Sequence, residues 1–378
     1  MPDAVIAGAG EAPYRRHPPR GTTTESLLAG AARRALRNAG LAPAAIDGLA
    51  VASFSLAPDH AVDLAWKLGL RLRWLMEDTN GGAAGINMLQ HAVRAVEAGD
   101  AAAVLVLAGD RLDAQAFSGL VAGYNAATRD YLAPLGFGGP NGLFALLTRR
   151  HMARHGLARA DYGELVIAQR EWAVRNPGAV YREPLSRAEY LAAPIVAEPL
   201  SRYDCVPVVA GADALVVTSG GGRRPVAVRA LVASYNDDQH EGDGLGTGLA
   251  AAARSLWDEA GIGPNDVDLA LVYDDYPAIV LVQLEDLGFF GAGEAKRFLA
   301  HTVAPRRLPL NTSGGQLSAG QAGAAGGLHG PVEAVRQLRG EAGDRQVDGA
   351  RRALVTGYGM VLYRYGACAN AAVLERVR

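Results

Sequence analysis

The residues best suited to chemistry lie in one glycine-rich segment, residues 311–330, which reads NTSGGQLSAGQAGAAGGLHG. Five glycines fall within its first sixteen residues, and an apolar, helix-like stretch follows. Glycine lets the backbone approach a ligand closely and leaves amide N–H groups free to point at negative charge. Gln321 is the polar side chain placed where such a loop would act on a ligand. We therefore predict a substrate-binding loop shaped by Ser313, Gly314, Gly315 and Gly320, with Gln321 as a hydrogen-bond donor.

Two pairs of similar segments, in the same order, indicate a duplicated α/β half that positions this loop. Residues 39–53 (AGLAPAAIDGLAVAS) resemble residues 260–274 (AGIGPNDVDLALVYD). In each half an Ala-Ala-Gly, an Ala-Val-Arg and an apolar strand then follow, within residues 83–106 and 324–355. Such echoes in one order indicate an internal repeat. Short apolar strands that alternate with helices are typical of sheets covered on both faces.

The periodicity also predicts the boundaries of the two halves. From about residue 110 to 207 the pattern changes and Pro, Arg and aromatic residues become more frequent, which indicates an insertion of helices and loops. We predict a first half at residues 1–225, including a loop domain at about 110–207, and a second half at residues 226–378.

Composition excludes several classes of protein. The formal net charge of -2 provides no broad positive field for nucleic acid or an anionic membrane. Two cysteines, Cys205 and Cys368, argue against a disulfide scaffold, a zinc site or an oxidising compartment. No apolar run reaches membrane-spanning length. We expect a cytoplasmic globular protein without a metal or a separate cofactor.

The glycine-rich segment resembles the signature N-x-x-G-G-x-x-x-x-G-H-P-x-G-A-x-G of the thiolase superfamily, closest to the sterol-carrier-protein type. Residues 149–156 and 176–205, which end in PLSRYDC, resemble the corresponding part of the same proteins. The resemblance therefore covers nearly the whole chain. It implies the duplicated thiolase fold, an α/β fold with five layers in the order α-β-α-β-α and a loop domain in the first half. It also implies an obligate dimer.

The resemblance places three substitutions where thiolases carry their chemistry. A thiolase needs a low-pKa cysteine at a helix N-terminus and a second acid or base. Gly82, in Gly82-Ala83-Ala84-Gly85, stands where that cysteine opens a C-x-S-G motif. Gln321 replaces the histidine of Gly-His-Pro. Tyr273, in Tyr273-Asp274-Asp275-Tyr276, takes the His/Asn position of the box that helps to form the oxyanion hole.

The second catalytic cysteine of thiolases corresponds to Tyr358, with Tyr363 or Tyr365 as alternative pocket residues. Each substitution also has a structural interpretation. A tyrosine can simply fill the volume of a lost histidine, and Gln321 can hold the loop. Asp274 and Asp275 can orient a phenol, or cap a helix as aspartates at strand-to-helix turns often do. His329, in the helix that follows the loop, fits a structural role.

These losses fit one offshoot of the superfamily, because the sequence looks like the thiolase-fold aldolases of steroid side-chain degradation, once described as lipid-transfer proteins. The resemblance implies retro-aldol cleavage of a bulky, steroid-like β-hydroxyacyl-CoA to a ketone and a short acyl-CoA such as propionyl-CoA, with coenzyme A entering only as part of the substrate. We predict catalytic roles for Tyr273, Tyr358, Asp275 and Gln321. Gly82, the loop residues named above and Tyr363 are predicted to contact substrate.

Two other function classes stay open on the sequence alone. The first is an acyltransferase or thiolase with a relocated nucleophile, for which Cys205 or Cys368 would have to serve. The second is a non-catalytic thiolase-like subunit that binds acyl-CoA. The resemblance further implies a homodimer that binds a small protein with an OB-fold and a zinc ribbon, giving a heterotetramer.

Overall fold

The computed structural model describes residues 4–137, 139–239, 241–363 and 365–377. The strands are β1 (Val5–Arg15), β2 (Gly48–Ala52), β3 (Trp74–Glu77), β4 (Ala103–Asp110), β5 (Ile195–Ala197), β6 (Leu200–Ser201), β7 (Ala210–Thr218), β8 (Val226–Tyr235), β9 (Leu269–Leu271), β10 (Arg352–Leu362) and β11 (Tyr365–Arg376). The helices are α1 (Thr24–Ala39), α2 (Ala61–Leu68), α3 (Ala84–Ala98), α4 (Ala114–Ala122), α5 (Pro140–His155), α6 (Arg159–Val174), α7 (Arg187–Ala192), α8 (Leu249–Ala260), α9 (Pro277–Asp286), α10 (Ala295–Phe298), α11 (Gly315–Ala319) and α12 (Gly326–Arg339).

The strand order shows the duplication directly. The large sheet runs β3-β2-β4-β7-β1-β8-β11-β10-β9. In the first half β2 pairs in parallel with β4, and β4, β7 and β1 then follow as antiparallel neighbours. In the second half β9, β10, β11 and β8 repeat that pattern, and a parallel bridge between Ala270 and Leu310 stands where β3 pairs with β2. The predicted repeat is therefore confirmed.

Alternating side chains along the strands produce five layers. In β4, Val104 and Val106 face one core while Leu105 and Leu107 face another, as the two-residue period of a strand requires. Helices α1 and α2 cover the outer face of the first half, and α8 and α9 cover the outer face of the second. Helices α3 and α12 contact each other between the halves. The two halves meet at one edge, where β1 pairs briefly with β8. The predicted α-β-α-β-α order is confirmed.

The insertion lies between β4 and β7, and it holds α4 to α7 and the small hairpin β5–β6. The corresponding strands of the second half, β10 and β11, are joined by a tight hairpin that pairs Leu362 with Tyr365. The segment between β4 and β7 is inserted in the first half, but its apolar residues share a core with the second half. In that core Phe144 and Leu165 lie with Ile279 and Leu284. The predicted boundary after residue 225 falls just before β8 and stays a prediction.

No helix among the described residues combines the length and apolar character that crossing a bilayer demands.

Candidate active site

A cavity of about 90 Å³ lies where the turn before α3 meets β10, the chain just after β9 and helix α4. Its lining includes residues from the second half of the chain and from the insertion. Five residues that the sequence predicted for the site line it together: Gly82, Tyr273, Asp275, Gln321 and Tyr358.

Gly82 sits in a space that admits no side chain. It lies in the short turn Gly81–Ala83 that leads into α3, and it is buried. A Cβ built on Gly82 would lie 2.2 Å from Cζ of Tyr273 and 2.3 Å from the carbonyl oxygen of Tyr358. Contacts this short require the neighbours to move. The position of the thiolase nucleophile is therefore filled from the opposite side by a phenol ring.

Tyr273 follows β9 and is anchored through its backbone. Its N–H donates to Thr356 Oγ1 at 3.0 Å, and its carbonyl accepts from Gln283 Nε2 at 2.9 Å. Its hydroxyl oxygen accepts a hydrogen bond from Gln321 Nε2 at 2.9 Å. Burial, and then the nearby charge of Asp275, raise the pKa of Tyr273 well above its usual value. The phenol is therefore neutral near pH 7, so it can donate a proton but does not act as a base through its ionised form.

Asp275 is the carboxyl group that shares the cavity with this phenol. Burial, and then the charge of Asp274, raise the pKa of Asp275 to about 8. Its Oδ1 is buried and has no hydrogen-bond partner among the described residues. A buried, unpaired carboxylate oxygen is costly, and such groups concentrate at functional sites. Asp275 has the position and the pKa of a general base or acid.

Asp274 has a different, structural role. Its Oδ1 accepts the backbone N–H of Gln316 at 2.8 Å, and its Oδ2 accepts that of Leu317 at 3.4 Å. These amides belong to the first turn of α11, which otherwise lacks acceptors. Asp274 therefore caps α11, and the two adjacent aspartates divide into one helix cap and one cavity residue.

Gly314, Gly315 and Gly320 of the glycine-rich loop are not among the residues that line the cavity, and their substrate contacts stay a prediction. All three have positive φ, of +95°, +61° and +112°, which favours glycine. Cβ atoms on them would approach Ala173 of α6 to 2.4 Å, the Asp274 carboxylate to 1.9 Å and Val209 to 2.8 Å, respectively. These glycines therefore serve close packing of the loop.

Ser313 is also placed away from the cavity. It is buried, and its Oγ lies 2.8 Å from Nε2 of His329 and accepts the N–H of Gly315 at 3.2 Å. His329 in turn lies between Ser313 and Asp213 and contacts the ring of Tyr14. Ser313 thus belongs to a buried network, and its substrate contact stays a prediction; the structural interpretation of His329 fits this placement.

Tyr358 lines the cavity with a constrained hydroxyl. The Gly366 N–H donates to its oxygen at 2.5 Å, and its ring meets Phe144 edge-on. Burial raises the pKa of Tyr358, so this phenol is also neutral near pH 7. Its catalytic role stays a prediction.

Tyr363 occupies the turn between β10 and β11 with φ of +53° and is not among the residues that line the cavity. Its predicted substrate contact stays a prediction. Met360 from the same strand does line the cavity.

Sequence reasoning missed the wall that the insertion supplies. Helix α4 and the residues after it contribute Phe117, Leu120, Val121 and Tyr124, and Phe54 adds a further apolar surface. Their apolar spacing on α4 was the available signal, but no motif linked this helix to the site.

Asp110, at the end of β4, was also missed. Its buried carboxylate accepts the backbone N–H groups of Phe54, Ser55 and Ala324, and the hydroxyls of Ser53 and Ser55. It therefore ties two loops together, next to cavity residues Phe54 and Gly323.

Neither cysteine has the properties of a nucleophile. Burial raises the pKa of Cys205 to about 12 and that of Cys368 to about 11. Neither belongs to the cavity lining. A thiol with a raised pKa holds little thiolate near neutral pH, so a relocated cysteine nucleophile is disfavoured.

Among the residues that the structure describes, two groups of side chains have ligand atoms close enough to hold a metal ion: His151, His155 and Glu285, and Glu11, Asp213 and His329. Neither group lines the cavity. The first includes an ion-pair contact of 3.3 Å between His155 and Glu285, and the second belongs to the Ser313 network.

Comparisons with known proteins agree with this geometry. A family model described as the thiolase C-terminal domain-like family matches residues 233–374. The chain is 34% identical to a 17-hydroxy-3-oxo-4-pregnene-20-carboxyl-CoA lyase of Mycobacterium tuberculosis, over 93% of this chain and 95% of that protein. It is 30% identical to a steroid side-chain-cleaving aldolase of Thermomonospora curvata, over 89% of this chain and 90% of that protein.

The comparison with solved structures points the same way. An Ltp2-ChsH2(DUF35) aldolase matches with a TM-score of 0.86 and 28% identity, and the match covers 100% of this chain and 98% of that one. Sequence and structure thus agree over almost the full length. The chain belongs to the thiolase superfamily, within the family of steroid side-chain-cleaving aldolases.

Proposed function

We propose that the protein is a carbon–carbon lyase that cleaves a β-hydroxyacyl-CoA by a retro-aldol reaction. One observation carries the proposal: the ring of Tyr273 occupies the site of the thiolase nucleophile, 2.2 Å from where a Cβ of Gly82 would lie. The cavity therefore offers phenols and a carboxyl group but no thiol. Acid–base chemistry without an acyl-enzyme is the chemistry that these groups can perform.

The reaction divides between two residues. Asp275, in its ionised form, takes the proton of the substrate's β-hydroxyl group. The hydroxyl oxygen becomes a ketone as the Cα–Cβ bond breaks, and its electron pair passes to the thioester, which becomes an enolate. The Tyr273 hydroxyl donates a hydrogen bond to this developing charge. Tyr273 then passes its proton to the α-carbon, and Asp275 returns the proton that it took to the Tyr273 oxygen, so that both groups are regenerated and neither an oxidant nor water is consumed.

The lining suits a bulky apolar acyl group. Phe117, Leu120 and Val121 of α4 face the same cavity as Asp275. The two relatives named above act, by their names, on steroid side chains or a pregnene carboxyl-CoA. We therefore propose a steroid-like substrate that yields a ring ketone and a short acyl-CoA such as propionyl-CoA.

Turnover of a tertiary β-hydroxyacyl-CoA tests the proposal, with the ketone and the acyl-CoA measured separately. We expect Tyr273→Phe and Asp275→Asn each to lower kcat by roughly 10²–10⁴-fold, the usual contribution of a general acid or base. Tyr358→Phe tests the second phenol. Tyr131→Phe is the control and retains the wild-type rate, since Tyr131 is 65% exposed and is not among the residues that line the cavity. Absence of turnover by the wild type, with or without a partner protein, would favour a non-catalytic acyl-CoA-binding subunit.

We propose further that the protein forms a homodimer and binds a small OB-fold and zinc-ribbon protein, giving a heterotetramer. The solved aldolase with TM-score 0.86 has a name that joins two components, Ltp2 and ChsH2(DUF35). Trp66 on α2 is 81% exposed and Leu75 on the sheet-edge strand β3 is 42% exposed, which supports a self-association surface at that edge. Light scattering after size exclusion tests the dimer, with Trp66→Glu expected to weaken it. Co-expression with the candidate partner tests the heterotetramer, and a lone, fully active dimer would contradict it.

A further inference from the structure

The side-chain amides of Gln316 and Gln321 form a hydrogen-bonded chain that ends at the Tyr273 hydroxyl. Gln321 Nε2 donates to the Tyr273 hydroxyl oxygen at 2.9 Å and also to Gln316 Oε1 at 3.1 Å. Gln316 is 2% exposed and is not among the residues that line the cavity. It therefore reaches the site only through Gln321.

The geometry of a primary amide gives this chain a direction. The amide nitrogen carries two hydrogens and accepts no hydrogen bond. Both hydrogens of Gln321 are used here, one toward Gln316 and one toward Tyr273. The Tyr273 oxygen thus acts as an acceptor from Gln321, and its own proton is left for another acceptor. If the Gln321 amide were reversed, its oxygen would face the oxygen of Gln316 and would capture the phenolic proton.

Gln316 is itself held in one orientation. The Asp274 carboxylate accepts its backbone N–H at 2.8 Å. The amide oxygen of Gln316 accepts the hydrogen bond from Gln321 Nε2 at 3.1 Å, which sets that oxygen toward Gln321. Helix α12 closes the other side, because a Cβ on Gly326 would lie 2.2 Å from Gln316 Oε1.

We propose that Gln316 is a positioning residue: by fixing the amide of Gln321, it directs the proton of the Tyr273 hydroxyl into the cavity. The inference rests on the proposed function in that Tyr273 acts there as the proton donor. Nothing in the glycine-rich signature distinguishes Gln316 from its neighbours, since its role depends on the fold bringing Asp274 and Gln321 to its two ends.

A double-mutant cycle with Gln316→Met and Gln321→Met tests the proposal. Methionine keeps the length of the side chain and removes the amide. We expect Gln316→Met to lower kcat by about 10-fold or more, with KM changed far less, and to have no further effect when Gln321→Met is already present. Additive losses in the double variant would overturn the proposal. Gln169→Met is the matched control, since Gln169 is fully buried in α6, does not line the cavity, and its side-chain amide has no hydrogen-bond partner among the described residues.

A spectroscopic measurement keeps the proposal separate from the reaction itself. In protein labelled with ¹³C at the tyrosine Cζ, the Tyr273 signal is identified by its loss in Tyr273→Phe. It should shift in Gln316→Met, and in the double variant it should match Gln321→Met alone. An unchanged signal in Gln316→Met refutes the positioning role of Gln316, even if the enzyme is active. A shifted signal without any turnover supports that role and refutes only the proposed reaction. If Gln316→Met does not fold, Gly326→Ala displaces the same amide and is read in the same way.

Discussion

The ring of Tyr273 occupies the space that a side chain at position 82 would need. The ring carbon Cζ lies 2.2 Å from the position of a Cβ on residue 82, and Cε2 lies 2.3 Å from it. A thiol at position 82 and a tyrosine at position 273 are therefore mutually exclusive in this backbone. Glycine at position 82, where the resemblance to thiolases places a cysteine, therefore makes room for the phenol ring of Tyr273.

This exclusion predicts strong coupling between substitutions at the two positions. Gly82→Ala should destabilise the protein by roughly 1–3 kcal/mol, because an extra carbon in a filled core forces its neighbours to move. Combined with Tyr273→Ala, the same change should cost less, because the overlap with the ring is removed and the contact with the Tyr358 carbonyl oxygen remains, and denaturant unfolding of the four proteins gives the coupling free energy. Gly30→Ala in α1 is the control, since its nearest neighbours lie at ordinary distances of 3.5 and 3.7 Å. Equal costs of Gly82→Ala in both backgrounds would contradict the overlap.

The pH dependence of the reaction should follow Asp275. Its pKa is raised to about 8, and the proposed base is the ionised form. We therefore expect kcat to rise with pH and to level off above about pH 8. A pH–rate profile that falls over this range would show instead that the protonated carboxyl is the active form.

Asp275→Asn should stabilise the fold while it abolishes the activity. A carboxyl whose pKa is raised in the folded state contributes stability below its unfolded pKa and loses that contribution as the pH rises through the folded value of about 8. The gain from asparagine should therefore be small near about pH 4 and largest near about pH 9. Thermal unfolding should show an increase in Tm of roughly 1 °C for each kcal/mol gained, since the entropy of unfolding grows with chain length. A variant that is less stable than wild type at high pH would show that Asp275 has a stabilising partner.

Thiol reagents should leave the enzyme active. Burial raises the pKa values of both cysteines, to about 12 for Cys205 and about 11 for Cys368. Iodoacetamide at neutral pH should alkylate them slowly, and the Cys205→Ala and Cys368→Ala variants should each retain at least half of the wild-type kcat, because neither thiol lines the cavity. Mass spectrometry of the enzyme during turnover should show no acylated cysteine. An acylated peptide would support the thiolase-like alternative.

Asp110 should contribute more to the free energy of unfolding than Asp113, which lies nearby on the surface. Asp110→Ala leaves several buried donors without an acceptor, and we expect a loss of roughly 3 kcal/mol or more in the free energy of unfolding. Asp113 caps α4 through one bond to the Ala116 N–H, so Asp113→Ala should cost only about 1 kcal/mol. Urea denaturation of both variants makes the comparison, and similar losses would show that Asp110 is not the anchor of its two loops.

The sequence predicted those parts of the site that are encoded by local motifs. Gly82, Tyr273 and Gln321 lie together because each occupies a fixed place in a motif, and the repeat placed those motifs on matching strands. The roles of Asp274 and Asp275 could not be separated in this way, since adjacent residues of one type differ only in the direction of their side chains. The close packing of Gly314 and Gly315 could not be predicted, because it is set by Ala173 and Asp274, which are distant in sequence.

The insertion between β4 and β7 has a consequence for how such enzymes diversify. Tyr273, Asp275, Gln321 and Tyr358 all come from the second copy of the repeat, whereas the apolar wall comes from α4, which the second copy replaces with a tight turn. The four residues proposed for the reaction thus lie on a different part of the chain from α4, which supplies the apolar wall. Substitutions in α4 should therefore change which acyl groups fit the cavity without any change to the residues proposed for the reaction.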